Sequence, residues 1–335
     1  MTNQKLHMTG RREALRLLSN AALGGALAAS WPRAAPAAPP VDENLPDTST
    51  YLTIRHPEID PETNYVDFYH KLDDMTAETR TKLPHYLNLP YGTHVKQRID
   101  LYLPQRTVRN APVLTFFHGG SFEEGHRAHY GFVAQPYAAR GIITAVAGYR
   151  LVPDGWHYPS QKEDVKATVG WLYRSIAQYG GNPNALYLSG HSAGAMMVAD
   201  VGVNRSWMHD AGLPGAALRG FAAVSGLYDL TGSAGDSPAR NAYTPTNELR
   251  AEASAVKHID DPAREAVVAY GQGDAFERKL TQGSPEFVEL LRAKGCDANL
   301  IVLPQAGHLA MVMAFATDTS PLFKAVASMV DEPVA

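Results

Sequence analysis

The chain has 335 residues, 30 Lys and Arg against 34 Asp and Glu, and a single cysteine, Cys296. That length suits one large α/β domain or two small ones at roughly 100–200 residues each. A composition of 45% hydrophobic and 19% charged residues excludes a disordered, collagenous or coiled-coil chain. The net charge of −4 argues against nucleic acid as a partner, and a lone thiol excludes an internal disulfide framework or a cysteine-based metal cluster.

Residues 1–37 read as an export signal. Arg11 and Arg12 are adjacent, residues 17–32 carry no charge, and Ala35-Pro36-Ala37 is a small-x-small cut site. Paired arginines ahead of a weakly hydrophobic, Gly- and Ala-rich middle resemble a bacterial twin-arginine signal. A periplasmic or secreted protein cleaved near Ala37 is therefore expected; a disordered tail or an uncleaved anchor is the alternative. The uncharged run falls short of the about 20 residues of a membrane span, so no stable membrane insertion is expected after signal removal. Without residues 1–37, 25 Lys and Arg face 33 Asp and Glu.

Residues 38–50, rich in Pro and Ala, read as a linker, and 51–335 as a single domain. A helix is predicted near 76–84. Residues 98–103 alternate as a half-buried edge strand does. The short apolar runs 112–117 and 141–147 suit buried strands, with a helix over 131–140 between them. Val165, Val169, Leu172 and Ile176 recur on one helical face that ends near Gly180-Gly181. Strands follow at 185–188, 220–224, 266–270 and 300–303, and helices at 193–203 and 321–330. Ser284-Pro285 reads as an N-cap with proline at the first helical position, and Gly295 as the end of that helix. Residues 231–262 lack periodicity and are placed outside the sheet. The alternation implies a mostly parallel sheet with helices on both faces.

Reactive groups in such sheets gather at the carboxyl ends of the strands. Gly190-His191-Ser192-Ala193-Gly194 is a G-x-S-x-G between strand and helix, a turn that presents Ser192 Oγ at its apex. The helix after it offers unpaired N–H groups to a developing oxyanion. His118-Gly119-Gly120-Ser121-Phe122 follows another strand, and its glycines let main-chain N–H groups approach a substrate oxygen. Asp274 follows the strand at 266–270 and suits an acid that orients an imidazole; Asp229 and Glu277 are its rivals. His308, in a loop after the last strand, completes the chain order Ser192, Asp274, His308.

With these segments the chain resembles the α/β-hydrolase superfamily, and within it the hormone-sensitive-lipase-like and kynurenine-formamidase-like esterases. The resemblance covers about residues 85–330. It rests also on Tyr149 to Pro153, Gln161 to Asp164 with Trp171, and Ser225 to Leu230. It implies an α/β-hydrolase fold with a small cap to which residues 51–92 contribute. It implies Ser192 as nucleophile, His308 as base, Asp274 as orienting acid, and Gly119, Gly120 and Ala193 as oxyanion-hole amides. The loop reads His-Gly-Gly-Ser rather than with a third glycine.

A secreted serine carboxylesterase acting on a small-molecule ester is the expected function, with an arylformamidase and a noncatalytic binding protein as the rival readings. No cofactor is expected, and no metal. The chain has no H-E-x-x-H, no P-loop and no G-x-G-x-x-G, and His126 and His129 read as pocket or surface residues. Phe122, Trp156, Tyr228 and Leu309 lie beside these segments and are expected to line an apolar or aromatic pocket.

Overall fold

In the computed structural model residues 64–231, 237–274 and 277–331 are described, with 277–282 described by backbone alone. The export signal, the linker, residues 51–63 and the side chain of Glu277 lie outside the described residues.

The strands are β1 (His85–Pro90), β2 (Arg98–Tyr102), β3 (Ala111–Phe117), β4 (Ile143–Ala147), β5 (Gly181–His191), β6 (Leu218–Val224), β7 (Glu265–Gly271) and β8 (Asp297–Leu303). They form one sheet in the order β1-β2-β4-β3-β5-β6-β7-β8. β1 with β2 and β2 with β4 pair antiparallel, and the remaining neighbours pair parallel.

The helices are α1 (Tyr65–Lys82), α2 (Ala134–Ala139), α3 (Ser160–Ser175), α4 (Ala193–Gly202), α5 (Ser206–Asp210), α6 (Pro238–Tyr243), α7 (Asn247–Glu252), α8 (Glu277–Ala293), α9 (Ala310–Phe315) and α10 (Pro321–Asp331). Among the described residues no helix is long and apolar enough to cross a membrane.

The central strands are apolar on both faces because both are covered. On β3, Val113 and Phe117 join a core with Val165 and Val169 of α3, Val198 of α4 and Leu291 of α8. Leu114 and Phe116 face the other way, into a core with Leu72 of α1, Tyr137 of α2 and Val326 of α10. Each such Phe or Leu contributes roughly 1.5–3 kcal/mol by leaving water.

Three elements depart from expectation. α1 begins at Tyr65 rather than near 76, capped by Asn64, whose Oδ1 accepts from Val66 N at 3.1 Å. Its buried face includes Thr76 and Thr79, so hydroxyls stand where an apolar stripe would have revealed it. Thr76 Oγ1 donates to His129 O and accepts from Phe132 N. β1 is an additional edge strand, irregular at Asn88, where φ is 61°; its polar residues conceal the alternation, and it places β2 inside the sheet, buried, rather than at the half-buried edge expected of 98–103. α8 starts at Glu277, and Pro285 lies inside it rather than at its first turn. Proline inside a helix costs about 3 kcal/mol; burial of Phe287, Val288 and Leu291 against the sheet offsets it.

Candidate active site

β5 ends at His191 and α4 begins at Ala193, with only Ser192 between them. Ser192 has φ 55° and ψ −118°, a left-handed conformation that costs a non-glycine residue about 1–3 kcal/mol and persists only when its surroundings enforce it. The flanking glycines are required sterically. A Cβ on Gly190 would sit 2.4 Å from the Gly194 carbonyl, and one on Gly194 would sit 2.2 Å from Phe117 O. Ser192 N donates to Val224 O at 2.8 Å, which ties the turn to the end of β6.

The loop after β3 is shaped by His118. Its ring stacks on Tyr149 at 4.4 Å, and its Nδ1 donates to Gly119 O at 2.7 Å. Burial pushes its pKa down to about 3, so it is neutral at physiological pH. Tyr149 Oη donates to His118 O at 2.9 Å. Gly125 must be glycine because a Cβ there would meet His118 Nδ1 at 2.3 Å. The chain then takes positive φ at Gly120, Ser121 and Phe122 in succession.

The loops after β7 and β8 interlock. Gly273 N donates to Ala306 O at 3.0 Å, and a Cβ on Gly271 would lie 2.0 Å from that same oxygen. This register brings His308 Nδ1 to donate to Asp274 Oδ2 at 2.6 Å, with Asp274 3% and His308 2% exposed. His191 Nε2 donates to His308 O at 2.9 Å, and the two rings lie 4.6 Å apart. Burial, and secondarily the neighbouring His308, holds the His191 pKa well below the usual range, so this donor is a neutral imidazole.

Ser192 and His308 line one cavity of about 70 Å³, together with Ser121, Phe122, Ala193 and Arg240 among others. A hydroxyl on a strained turn, a carboxylate-oriented imidazole and main-chain amides at a helix start are the parts an acyl-transfer site requires.

The BD-FAE family model matches residues 99–213. Kynurenine formamidase of Danio rerio is 24% identical over 268 residues, covering 76% of this chain and 85% of that protein. Esterase LipC of Mycobacterium tuberculosis is 26% identical over 242 residues, covering 67% of this chain and 59% of that one. The crystal structure of Esterase B from Lactobacillus rhamnosis superposes with a TM-score of 0.60 at 18% identity, covering 78% of this chain and 94% of that chain. The chain has the α/β-hydrolase fold. Within that fold, the likeness lies with esterases and kynurenine formamidases.

In this α/β-hydrolase the expected site residues divide. Phe122 and Ala193 line the cavity. Gly119 and Gly120 are not among the described lining residues, but Gly119 packs against the nucleophile, where a Cβ would lie 3.0 Å from Ser192 Cβ, and Ser121 lines the cavity beside Phe122. Three of the four expected pocket residues are also placed elsewhere. Trp156 lies under the Arg150 guanidinium at 4.4 Å. Tyr228 is buried in a stack on Phe287 at 4.2 Å and donates to Ala223 O. Leu309 caps α9 and is absent from the described lining. The apolar lining comes instead from Met196, Leu227 and Ala239.

Asp229 is exposed, accepts from Thr231 N at 2.8 Å and pairs with Lys257 at 3.2 Å; it shapes its own loop. His126 caps a 3-10 turn by accepting from Ala128 N, and His129 pairs with Asp73 at 2.5 Å. Neither lines the cavity. No described residue of 64–92 lines it either; Ser237, Ala239 and Arg240 do. Among the described residues no group of His, Cys, Asp and Glu is arranged to hold a metal ion.

Tyr149 to Pro153 and Gln161 to Asp164 serve the scaffold. Arg150 pairs with the fully buried Asp164 at 2.6 Å, and Gln97 Nε2 donates to the same carboxylate at 2.7 Å. His191, Ser121 and Arg240 were not foreseen. His191 sits at the variable position of G-x-S-x-G, and its partner is 117 residues away. Arg240 lies in the aperiodic segment, where no pattern marks it.

Proposed function

We propose that this α/β-hydrolase is a serine carboxylesterase that cleaves short esters through an acyl-serine. The observation that carries the reading is the 2.6 Å contact between His308 Nδ1 and Asp274 Oδ2, with His308 and Ser192 on the wall of one cavity. His308 takes the Ser192 proton, and the alkoxide attacks the ester carbonyl. Asp274 holds the imidazole in the tautomer with hydrogen on Nδ1 and stabilises the cation that forms. The amides of Gly119, Gly120 and Ala193 are the candidates to meet the oxyanion, with that of Ser121 beside the two glycines on the same loop; one such donor is worth about 3–4 kcal/mol. His308 then protonates the leaving alcohol, and water repeats the sequence on the acyl-serine. The small cavity supports a short acyl group.

The formamidase relative supports a second reading, cleavage of an aryl formamide by the same groups. Turnover of p-nitrophenyl butyrate against N-formylkynurenine separates the two: faster ester cleavage is expected, and faster formamide cleavage reverses the order. The paired arginines, the uncharged run and Ala35-Pro36-Ala37 support export through a twin-arginine route with cleavage near Ala37. N-terminal sequencing of the protein recovered from the periplasm tests this; an intact Met1 would contradict cleavage.

A further inference from the structure

We infer that Ser225 positions the water that releases the acyl group from Ser192. The inference deepens the esterase reading, on which it rests, by assigning a second serine to the deacylation step. The parallel register of β5 and β6 ends with His191 beside Val224, so the next residues, Ser192 and Ser225, leave the sheet side by side. Ser192 N donates to Val224 O at 2.8 Å, and Ser225 N donates to Ala269 O at 2.7 Å. Both serines take left-handed backbone, with φ 55° and 54°, a conformation that persists in a non-glycine residue only where its surroundings enforce it. Ser225 is 4% exposed and lines the same cavity as Ser192 and His308. Among the described residues its Oγ has no hydrogen-bond partner. A buried hydroxyl in that state is costly, and the acylation step gives this one no task.

Sheet order fixes which half of the reaction this hydroxyl faces. In the order β3-β5-β6-β7-β8, the loop of Gly119 and Gly120 follows β3 on one side of Ser192, and His308 follows β8 on the other. Ser225, at the end of β6, stands on the His308 side. With the hydrogen on Nδ1 given to Asp274, His308 takes protons at Nε2, so the attacking water arrives on that side as well. One water hydrogen passes to Nε2 as the water oxygen bonds to the acyl carbon. The other is donated to Ser225 Oγ in a hydrogen bond. The bond from the acyl carbon to Ser192 Oγ then breaks, the imidazolium returns its proton to that oxygen, and the free acid leaves. Ser225 exchanges no proton in this step; it holds the water's second hydrogen and so aims its lone pair.

Competition between water and methanol for the butyryl-enzyme tests this. Methanol carries a methyl group where water carries the hydrogen that Ser225 accepts, so the contact favours hydrolysis over methanolysis. With p-nitrophenyl butyrate in buffered methanol–water mixtures, the ratio of methyl butyrate to butyrate is expected to rise about 10-fold in Ser225→Ala, the worth of one hydrogen bond. The ratio is set after the acyl-enzyme has formed, so a change in acylation does not enter it. Ser225→Gly also lacks the hydroxyl but accepts the left-handed backbone; it should show the same rise, and it carries the test if the alanine variant does not fold. A product ratio equal to that of wild type in a folded variant overturns the inference, even where turnover falls, because a purely structural role slows both nucleophiles alike. A wild-type protein that releases no p-nitrophenol from the ester would instead defeat the esterase reading itself.

Discussion

His191 donates Nε2–H to the main-chain oxygen of His308 at 2.9 Å. The residue just before Ser192 therefore fixes the backbone of the proposed base. A misplacement of about 1 Å at a reacting group can cost 100-fold in rate. His191→Phe is expected to lower kcat by about 10- to 100-fold with a smaller change in KM, and His191→Gln, which keeps a donor, to recover part of the loss. Steady-state kinetics on p-nitrophenyl butyrate check this; unchanged kcat in His191→Phe would remove His191 from the site.

Asp274 and Asp229 both follow strands, and burial separates them. Asp274 is 3% exposed and bonded to His308, whereas Asp229 faces solvent and Lys257. Asp274→Asn forfeits the tautomer control and the charge, so kcat is expected to fall about 10³- to 10⁴-fold. Asp229→Asn is expected to change it little. A larger loss in Asp229→Asn would overturn the assignment.

Gly194 has no room for a methyl group, with Phe117 O 2.2 Å and His118 O 2.7 Å from the place a Cβ would take. Both obstacles are main chain and cannot rotate away. Gly194→Ala is expected to destabilise by about 1–3 kcal/mol or more, as overpacking does, and to reduce turnover by moving Ser192 off its turn. Urea denaturation with parallel kinetics measures both effects; a variant with native stability and rate would show that the turn tolerates spreading.

Glu124 lies beside the Gly120 carbonyl, to which its N–H donates at 3.0 Å. Burial, with Glu123 adding to it, raises its pKa to about 7. The folded state therefore keeps the proton after the unfolded chain has released it. Stability from this group is fully present below the unfolded value near 4.5 and is lost as pH rises to about 7. Glu124→Gln removes that loss, so its stability relative to wild type should increase from pH 4.5 to 7 by up to about 3 kcal/mol and level off above. Chemical denaturation across that range checks it. A stability difference independent of pH would show that Glu124 titrates normally.

The sheet was legible wherever burial on both faces forced continuous apolar runs, as at Val113 to Phe117 and Val267 to Tyr270. β1 and the first half of α1 were not, because Asn88, Thr76 and Thr79 stand where apolar residues would mark the pattern, and partners that only the fold brings near, His129 O for Thr76 and Asp100 Oδ1 for Asn88 N, satisfy polar groups there. At the site, Ser192 and His308 announce themselves through short motifs whose glycines are needed for steric reasons. The pocket wall does not. Aromatic side chains near a motif in sequence, such as Trp156 and Tyr228, point into the scaffold. The wall takes Met196 from one turn along α4 and Arg240 from a segment without pattern. Proximity along the chain is a poor guide there because a pocket is built by tertiary packing.

The central claim is that Ser192 Oγ is the attacking group. Labelling the purified protein with a fluorophosphonate, followed by peptide mass spectrometry, tests it most directly. Wild type is expected to carry one phosphonyl adduct, on Ser192, while Ser192→Ala stays unlabelled and inactive with a nearly unchanged melting temperature. An adduct on another serine such as Ser225, or full esterase turnover in Ser192→Ala, would contradict the account.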